Sequence, residues 1–285
     1  MMRRRVCSSI LVACGLAGLV AGPGGASALA ASSAPSEASA AAASGSPAEY
    51  AWGPSAAGTA HTVRPGTFEM GLFQPLRYGV GESLEVATHP LLSLLMPNIA
   101  LKKQWASWGR AGALASQHVL RYPTGLLQAM VRRGAGGVLP AAMRVPHIID
   151  TEHRLLYSVP VAAGHLLSAK LGVQWAAYIG RTSIDSIDLP LAFARSAAYH
   201  RHWTARAGVD LDGRIARRWS YFVDVDAFLL PYADARYALE QSAMLSYVPA
   251  RSWVLQAGYK LTWGPYRYGQ SELHLFPMAD VLWRF

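Results

Sequence analysis

The sequence predicts an all-β protein, a transmembrane antiparallel up-and-down β-barrel of about twelve strands, with about ten as the alternative. Hydrophobic residues make up 52% of the 285 residues and charged residues 15%, below the roughly 25% of an ordinary soluble domain. No apolar run of about 18 residues follows the N-terminal segment, so the apolar side chains must be spread over alternating strands. The chain also ends in an alternating segment whose last residue is Phe285.

A secretory signal peptide is predicted over residues 1–30. A basic run occupies residues 3–5, an apolar stretch occupies residues 6–20, and Ala-Leu-Ala at 28–30 forms a cleavage site of the A-x-A type. The alternative is a lipoprotein signal in which Cys14 carries the lipid anchor. The long apolar stretch beyond Cys14 favours the ordinary signal peptide.

A flexible leader, rich in Ala, Ser, Gly and Pro, is predicted over residues 31–61, and the barrel over residues 62–285. The net charge is +9, and an exported barrel does not meet nucleic acid. The net positive charge therefore indicates contact with anionic lipopolysaccharide or a lumen that favours anions. Both cysteines lie in the signal segment, so no disulfide is expected in the mature chain.

Strand signals recur along the barrel region, because apolar residues alternate with polar ones over segments of about 9–11 residues. A helix would distribute this alternation around all of its sides. The clearest strands are 169–179, 219–229 and 253–263, the last with Trp at both ends. The other predicted strands are 67–74, 84–88, 99–105, 114–122, 150–159, 191–198, 203–211, 243–247 and the closing strand that ends at Phe285.

The connections carry turn residues. Gly79–Gly81 is predicted as a turn, and Asp212-Gly213 as a tight hairpin between two strands. A long connection at 123–146 contains a short amphipathic helix. By the strand count it follows an even-numbered strand and lies on the periplasmic side, where turns are expected to be short. Either the count is off by one before this connection, or the connection is an atypical turn.

The signal segment, the alternating strands and the C-terminal strand together resemble those of Gram-negative outer-membrane β-barrel proteins, over roughly residues 62–285. Val281, Trp283 and Phe285 carry the match to the C-terminal signal of that class. The resemblance implies location in the bacterial outer membrane, recognition by the barrel-assembly machinery, and contact with outer-membrane lipids and lipopolysaccharide. Small solutes are the candidate cargo.

Charged side chains on the polar face of the strands are predicted to point into the lumen. They could line a water path, or pair with one another and fill the interior. The predicted lumen-lining residues are Glu69, Glu85, Lys170, Arg206, Asp210, Asp224, Asp226 and Lys260.

No metal site and no cofactor are expected. With a hairpin at Asp212-Gly213, the pair Asp210 and Asp212 would lie about 30 Å from the pair Asp224 and Asp226, too far to share a cation. His200 and His202 lack a third ligand nearby in the sequence.

Ser116 and His118 are weak candidates for catalysis. They share the lipid-facing side of one predicted strand. Outer-membrane phospholipases and lipid A deacylases resemble this pattern but carry His-x-Ser, the reverse order. Neighbours at i and i+2 start about 7 Å apart, whereas a nucleophile needs its base within about 3 Å.

The first functional hypothesis is therefore a narrow channel or a structural barrel with a filled polar lumen. The alternative is a lipid-processing enzyme of the esterase or deacylase type, and a third hypothesis is a soluble secreted β-protein.

Overall fold

The computed structural model describes residues 58–132, 139, 142–183, 186–187, 189–250, 252–265 and 271–285. These residues form a closed barrel of twelve antiparallel strands, in which successive strands pair and the last strand pairs with the first. The predicted fold class and the count of twelve are confirmed. The predicted signal peptide and Cys14 lie outside the described residues.

The strands range in length from four residues in the first to 16 in the sixth. They are β1 (Phe68–Gly71), β2 (Leu76–Gly81), β3 (Leu84–Thr88), β4 (Asn98–Ser107), β5 (Ala113–Arg121), β6 (His147–Ala162), β7 (His165–Ile179), β8 (Trp203–Ala216), β9 (Trp219–Leu229), β10 (Tyr237–Ala250), β11 (Trp253–Pro265) and β12 (Ser271–Arg284).

Short helices occupy the connections, and none of those in the described part of the chain is long and apolar enough to cross a membrane. They are α1 (Pro90–Ser93), α2 (Thr124–Val131), α3 (Phe193–Ser196) and α4 (Ala198–Arg201), with a 3-10 turn at Gly109–Ala111.

The barrel closes between its first and last strands, as the sequence predicted. Phe68 and Phe285 exchange two backbone hydrogen bonds, with N···O distances of 3.1 and 3.0 Å. The register then pairs Glu69 with Arg284. The pairing of β1 with β12 covers three register positions at this end of the barrel. Closure of this kind pairs backbone polar groups that a lipid environment cannot satisfy.

The two ends of the barrel have connections of different length. At the end that carries Phe68 and Phe285, the connections are 82–83, 108–112, 163–164, 217–218 and 251–252. At the other end they are 72–75, 89–97, 122–146, 180–202, 230–236 and 266–270. We call these the short-turn end and the loop end. In transmembrane barrels the short turns face the periplasm and the long loops face outward.

The predicted count of twelve was reached through two opposite errors. Leu76–Gly81 was predicted to contain a turn but forms β2, and residues 191–198 were predicted as a strand but contain α3. Gly79 is small because a backbone passes over it: an added Cβ would lie 2.1 Å from the Arg64 carbonyl oxygen. Phe193 is buried in an apolar cluster, so its segment reads as apolar without being a strand.

The strand count before the 123–146 connection was therefore one too low, which is the first of the two alternatives left open by the sequence. With β2 counted, this connection follows β5 and lies at the loop end, where long connections are usual.

The predicted hairpin at Asp212-Gly213 was also wrong, because both residues lie inside β8 and the turn comes at residues 217–218. A Cβ on Gly213 would lie 2.3 Å from the Tyr221 ring. The glycine therefore makes room for the hydrogen bond between Tyr221 and His165, which measures 3.0 Å. A glycine in a strand interior often marks such a close approach.

Aromatic side chains form a belt near each end of the outward face. At the short-turn end, the Trp253 and Trp283 rings lie 4.9 Å apart. At the loop end, the Tyr237 and Trp263 rings lie 5.4 Å apart. Exposed leucines such as Leu255 occupy the surface between the belts. This is the arrangement of a transmembrane barrel, with an apolar band between two aromatic girdles.

Candidate functional site

The lumen contains a cluster of charged side chains centred on Lys170. Its Nζ lies 2.6 Å from an Asp210 oxygen, 2.6 Å from an Asp224 oxygen and 3.1 Å from an Asp226 oxygen. Because β8 continues past Asp212 to its turn, β9 returns with Asp224 opposite Asp210. The expected separation of about 30 Å between the two Asp pairs was therefore wrong. One ammonium group bridges carboxylates from both strands.

A second group of ion pairs joins β5, β6, β8 and β9. The Glu152 carboxylate contacts Arg121 at 3.0 Å, Arg154 at 2.5 Å and Arg206 at 3.5 Å. Arg206 also reaches Asp226 at 3.7 Å, which connects this group to the Lys170 cluster. The ion pairs thus form one network across the lumen.

The connection before β8 enters this network from the loop end. Arg195 of α3 contacts Glu240 at 2.5 Å, and Lys260 contacts the same carboxylate at 2.6 Å. The Arg195 carbonyl oxygen accepts a hydrogen bond of 3.1 Å from Gln174. The Glu240 carboxylate raises the pKa of Arg195 above its ordinary value, so this arginine stays charged beneath the loops.

A third cluster surrounds Glu85 near the short-turn end. Glu85 accepts two hydrogen bonds from Arg77, at 2.8 and 2.6 Å, and lies 3.5 Å from Lys102. Arg77 and Arg284 both contact Glu69, at 3.3 and 3.1 Å. The structure thus places all eight predicted lumen-lining residues in ion pairs. The signal that groups them is strand register, which the sequence alone does not reveal.

Residues 58–66 form an N-terminal segment whose residues 58–63 lie inside the barrel against the Glu85 cluster, while residues 64–66 are exposed. The Val63 amide donates to Glu85 at 3.0 Å, and Lys102 donates to the His61 carbonyl oxygen at 2.8 Å. The Ala60 amide donates to the Ser158 hydroxyl at 2.7 Å. We call residues 58–66 the plug segment. Residues 58–61, expected to belong to the leader, are therefore part of the folded structure.

The plug segment packs through small and neutral groups. Ala60 is fully buried in a cluster with Ala113, Ala115 and Leu156. Burial and the nearby Lys102 lower the pKa of His61 below its ordinary value. The neutral form of the His61 imidazole is therefore favoured beside Lys102, and the one charged side chain of the plug segment, Arg64, is exposed.

A cavity of about 360 Å³ remains within the lumen. Residues of both signs line it, among them Arg121, Arg206 and Asp224, and Gly58 of the plug segment borders it. The cavity thus lies beside both the ion-pair network and the plug segment.

Ser116 and His118 lie on the outward face of β5, between Leu114 and Leu120. The Ser116 Oγ and His118 Nε2 atoms are 3.1 Å apart, within hydrogen-bond distance. The expectation that they would be too far apart was wrong, because side chains lean along a strand and the imidazole ring spans the gap.

His153 on β6 completes this cluster, and the sequence analysis did not find it. His118 pairs with His153 in the strand register, and their Nδ1 atoms are 2.8 Å apart. The Trp105 indole N–H donates to Ser116 Oγ at 2.9 Å. The Trp175 ring lies 6.0 Å from the His153 ring. We call Trp105, Ser116, His118 and His153 the outer-face cluster.

The remaining candidates lie apart from these sites. His200 and His202 lie in and just after α4 rather than on a strand, and His202 stacks on Tyr178 at 4.8 Å. Val281, Trp283 and Phe285 follow one another along the end of the chain. Among the described residues, no group of three or more His, Cys, Asp or Glu is arranged to hold a metal ion.

A closed antiparallel barrel with an apolar outward band, two aromatic belts and short turns at one end has the architecture of an outer-membrane β-barrel protein. The chain matches no known family model and no curated protein.

Several solved structures are similar. A bacterial polysaccharide outer membrane secretin has 10% identity and a TM-score of 0.39, over 77% of this chain and 69% of that one. The Pseudomonas putida toluene transporter TodX has 10% identity and a TM-score of 0.33, over 76% and 77%. A Pseudomonas aeruginosa FadL homologue has 11% identity and a TM-score of 0.30, over 80% and 69%. Similarities at this level carry no functional information.

Proposed function

We propose that the protein is an integral barrel of the bacterial outer membrane whose lumen is closed to solutes, so that it acts as a structural barrel rather than a diffusion channel. The observation that carries this proposal is the pairing of the inward charges. Lys170, Glu152 and Glu85 each contact two or more partners of opposite charge. An ion-selective path is typically lined by charges of one sign, whereas here both signs alternate and pair.

The plug segment supports the same proposal. Its backbone bonds to Glu85, Lys102 and Ser158 inside the barrel, and Ala60 is buried. A folded segment held in this way occupies space that an open pore would leave to water.

The proposal also covers how the protein reaches its membrane. The signal peptide predicted over residues 1–30 directs export across the inner membrane. The barrel-assembly machinery then reads Val281, Trp283 and Phe285, and the outward band meets outer-membrane lipids and lipopolysaccharide.

The purified barrel is expected to leave liposomes impermeable to small sugars. Liposomes reconstituted with the protein should swell in isotonic arabinose no faster than protein-free liposomes, because the paired charges and the plug segment obstruct the lumen. A water-filled porin of 16–18 strands serves as the positive control. Swelling in proportion to the amount of protein would contradict a closed lumen.

The second candidate function is hydrolysis of lipid esters at the outward face. The hydrogen-bond distance of 3.1 Å between Ser116 Oγ and His118 Nε2 favours it. A serine becomes a nucleophile when a general base lies within such reach. The site lies on the lipid-facing side of the wall, so this function is compatible with a closed lumen.

Ser116→Ala is expected to reduce ester hydrolysis by the folded protein in detergent micelles by at least about 10³-fold. The variant loses the hydroxyl that attacks the acyl carbon. Ser107→Ala is the matched control, because Ser107 is an exposed serine on the neighbouring strand β4. Hydrolysis that survives Ser116→Ala unchanged would remove this candidate.

A further inference from the structure

We infer that Ser116, His118 and His153 form an acyl-transfer triad that hydrolyses acyl esters of membrane lipids, with His153 as the residue that positions His118. This inference rests on the second proposed function, the lipid-ester hydrolase. It adds a third member to the site, from a different strand, and the class of substrate.

One choice of histidine tautomers turns these hydrogen bonds into a proton path from Ser116 to His118. Ser116 Oγ accepts the Trp105 indole N–H at 2.9 Å, so its own hydrogen is free to point at His118 Nε2, 3.1 Å away. His118 Nε2 can accept this hydrogen only if the ring carries its proton on Nδ1. That Nδ1 lies 2.8 Å from His153 Nδ1, which then acts as the acceptor. This is the tautomer that a general base requires.

A purely structural role does not account for these groups. On the neighbouring strands the register places Leu101 beside His118, and Leu155 and Lys103 beside Ser116. The Lys103 ammonium donates to Ser83 in the 82–83 turn, at 2.7 Å. Both leucines are exposed, as expected for lipid-facing positions. Polar side chains in such a band cost free energy unless they bond to one another, and leucines would serve a structural wall equally well. The outer-face cluster satisfies its polar groups internally and leaves the Ser116 hydroxyl at the surface.

The location of the site defines the class of substrate. The outer-face cluster opens to the bilayer, not to the lumen, so its substrate must arrive by lateral diffusion within the membrane. Trp105 donates to Ser116, and Trp175 lies against His153. Trp is enriched where hydrocarbon meets the lipid headgroups, and the ester bonds of lipids lie in the same region of a bilayer. The substrate is therefore an acyl ester of a glycerophospholipid or of lipopolysaccharide.

The reaction follows from this arrangement. Ser116 Oγ attacks the acyl carbon while His118 Nε2 takes the hydroxyl proton. The bond from the acyl carbon to the lipid alkoxy oxygen then breaks, and that oxygen leaves with the proton from His118. Water next attacks the acyl group on Ser116, giving one proton to His118. The acyl–Ser116 bond breaks, His118 returns the proton to Ser116 Oγ, and the fatty acid is released. The sum is ester plus water to alcohol plus acid.

His153 acts through His118 and does not touch the reacting atoms. By accepting from His118 Nδ1–H it holds the ring in the base tautomer and stabilises the positive charge that the ring gains. When the residue that orients a catalytic histidine is removed, kcat falls by orders of magnitude, even though the nucleophile and the base are still present. A residue that only stabilised the wall would not change turnover in the folded protein.

The test uses the full-length folded protein in detergent micelles, with heat-modifiable gel migration as the check that each variant is folded. Ser116 is probed with a fluorophosphonate, and mass spectrometry locates the label. Fatty acid release is measured separately from diacyl glycerophospholipid and from lipopolysaccharide. The variants are Ser116→Ala, His153→Ala and His153→Asn. His147→Ala is the matched control, because His147 is an exposed histidine on the same strand, paired with Tyr122.

The triad predicts labelling at Ser116 and release of fatty acid from one of the two lipids. His153→Ala should lower both the labelling rate and kcat by about 10²–10⁴-fold with little change in KM. His153→Asn, whose amide oxygen can still accept, should recover part of the loss, and His147→Ala should behave like the unaltered protein. The lipid that releases fatty acid identifies the source of the ester.

The contradicting outcomes are distinct. If His153→Ala equals His147→Ala while Ser116→Ala is inactive, the triad is wrong and the Ser116–His118 hydrolase stands. If neither lipid releases fatty acid and Ser116 takes no label, both the triad and the hydrolase are wrong.

Discussion

Replacement of Lys170 by methionine is expected to lower the free energy of unfolding of the barrel by about 3–5 kcal/mol. Lys170 is the ammonium that contacts Asp210, Asp224 and Asp226, at 2.6, 2.6 and 3.1 Å. Methionine has nearly the same length but no charge, so it leaves three carboxylates together in the lumen. Removing one partner of a buried ion cluster costs more than the cluster contributes, because the remaining charges lose their compensation.

Urea unfolding of the folded protein in detergent micelles measures this loss. Lys103→Met is the matched control, since Lys103 lies on β4 and its ammonium donates to the neutral Ser83 hydroxyl, at 2.7 Å. The control should change the free energy of unfolding by less than about 1 kcal/mol. Adding Asp210→Asn to Lys170→Met should restore part of the stability, because it removes one of the three uncompensated charges. Equal losses for Lys170→Met and Lys103→Met would contradict the role of the cluster.

Glu85→Ala is expected to cost about 3–5 kcal/mol and to release the plug segment. The Glu85 carboxylate compensates the buried Arg77 and Lys102 and accepts the Val63 amide at 3.0 Å. Without it, two buried cations repel each other and Val63 loses its acceptor. The plug segment should then leave the lumen before the strands unfold, since it is held by fewer bonds than the ladders.

Thiol labelling in a Thr59→Cys background separates the two effects. Thr59 is 3% exposed, so its replacement should react slowly with a maleimide in the otherwise unaltered protein and quickly with Glu85→Ala present. Glu82→Ala is the control, because Glu82 is an exposed glutamate in the turn just before β3. Slow labelling in both variants would show that Glu85 does not hold the plug segment.

The architecture could be predicted because it is encoded in local alternation. Strands such as Trp219–Leu229 and Trp253–Pro265 carry an apolar outward face along their length, and Phe285, directly after the closing strand, bonds to Phe68 of the first. Short or interrupted strands were harder. β2 contains Gly79, which serves a close backbone contact, and β1 has only four residues. β2 was therefore not predicted, whereas β1 was predicted within a longer strand at 67–74.

The candidate sites depend on register, which a single sequence does not reveal. The alternation of side chains between the two faces of a strand predicted that Asp210 and Asp224 face inward. Only the pairing of β8 with β9 places them opposite each other. His153 likewise becomes a candidate site residue only because it lies opposite His118 in the strand register. The plug segment was not predicted for another reason. Its small residues Thr59 and Ala60 have the composition of a flexible linker, yet they are buried inside the barrel.

The most direct test of the closed lumen is single-channel recording from the purified full-length protein in a planar lipid bilayer. Small ions pass through paths too narrow for sugars, so this measurement is stricter than swelling of liposomes. The account predicts a flat current at the level of the protein-free bilayer over a range of voltages. Stable, discrete current steps that appear with insertion of the protein would contradict it and identify the barrel as a channel.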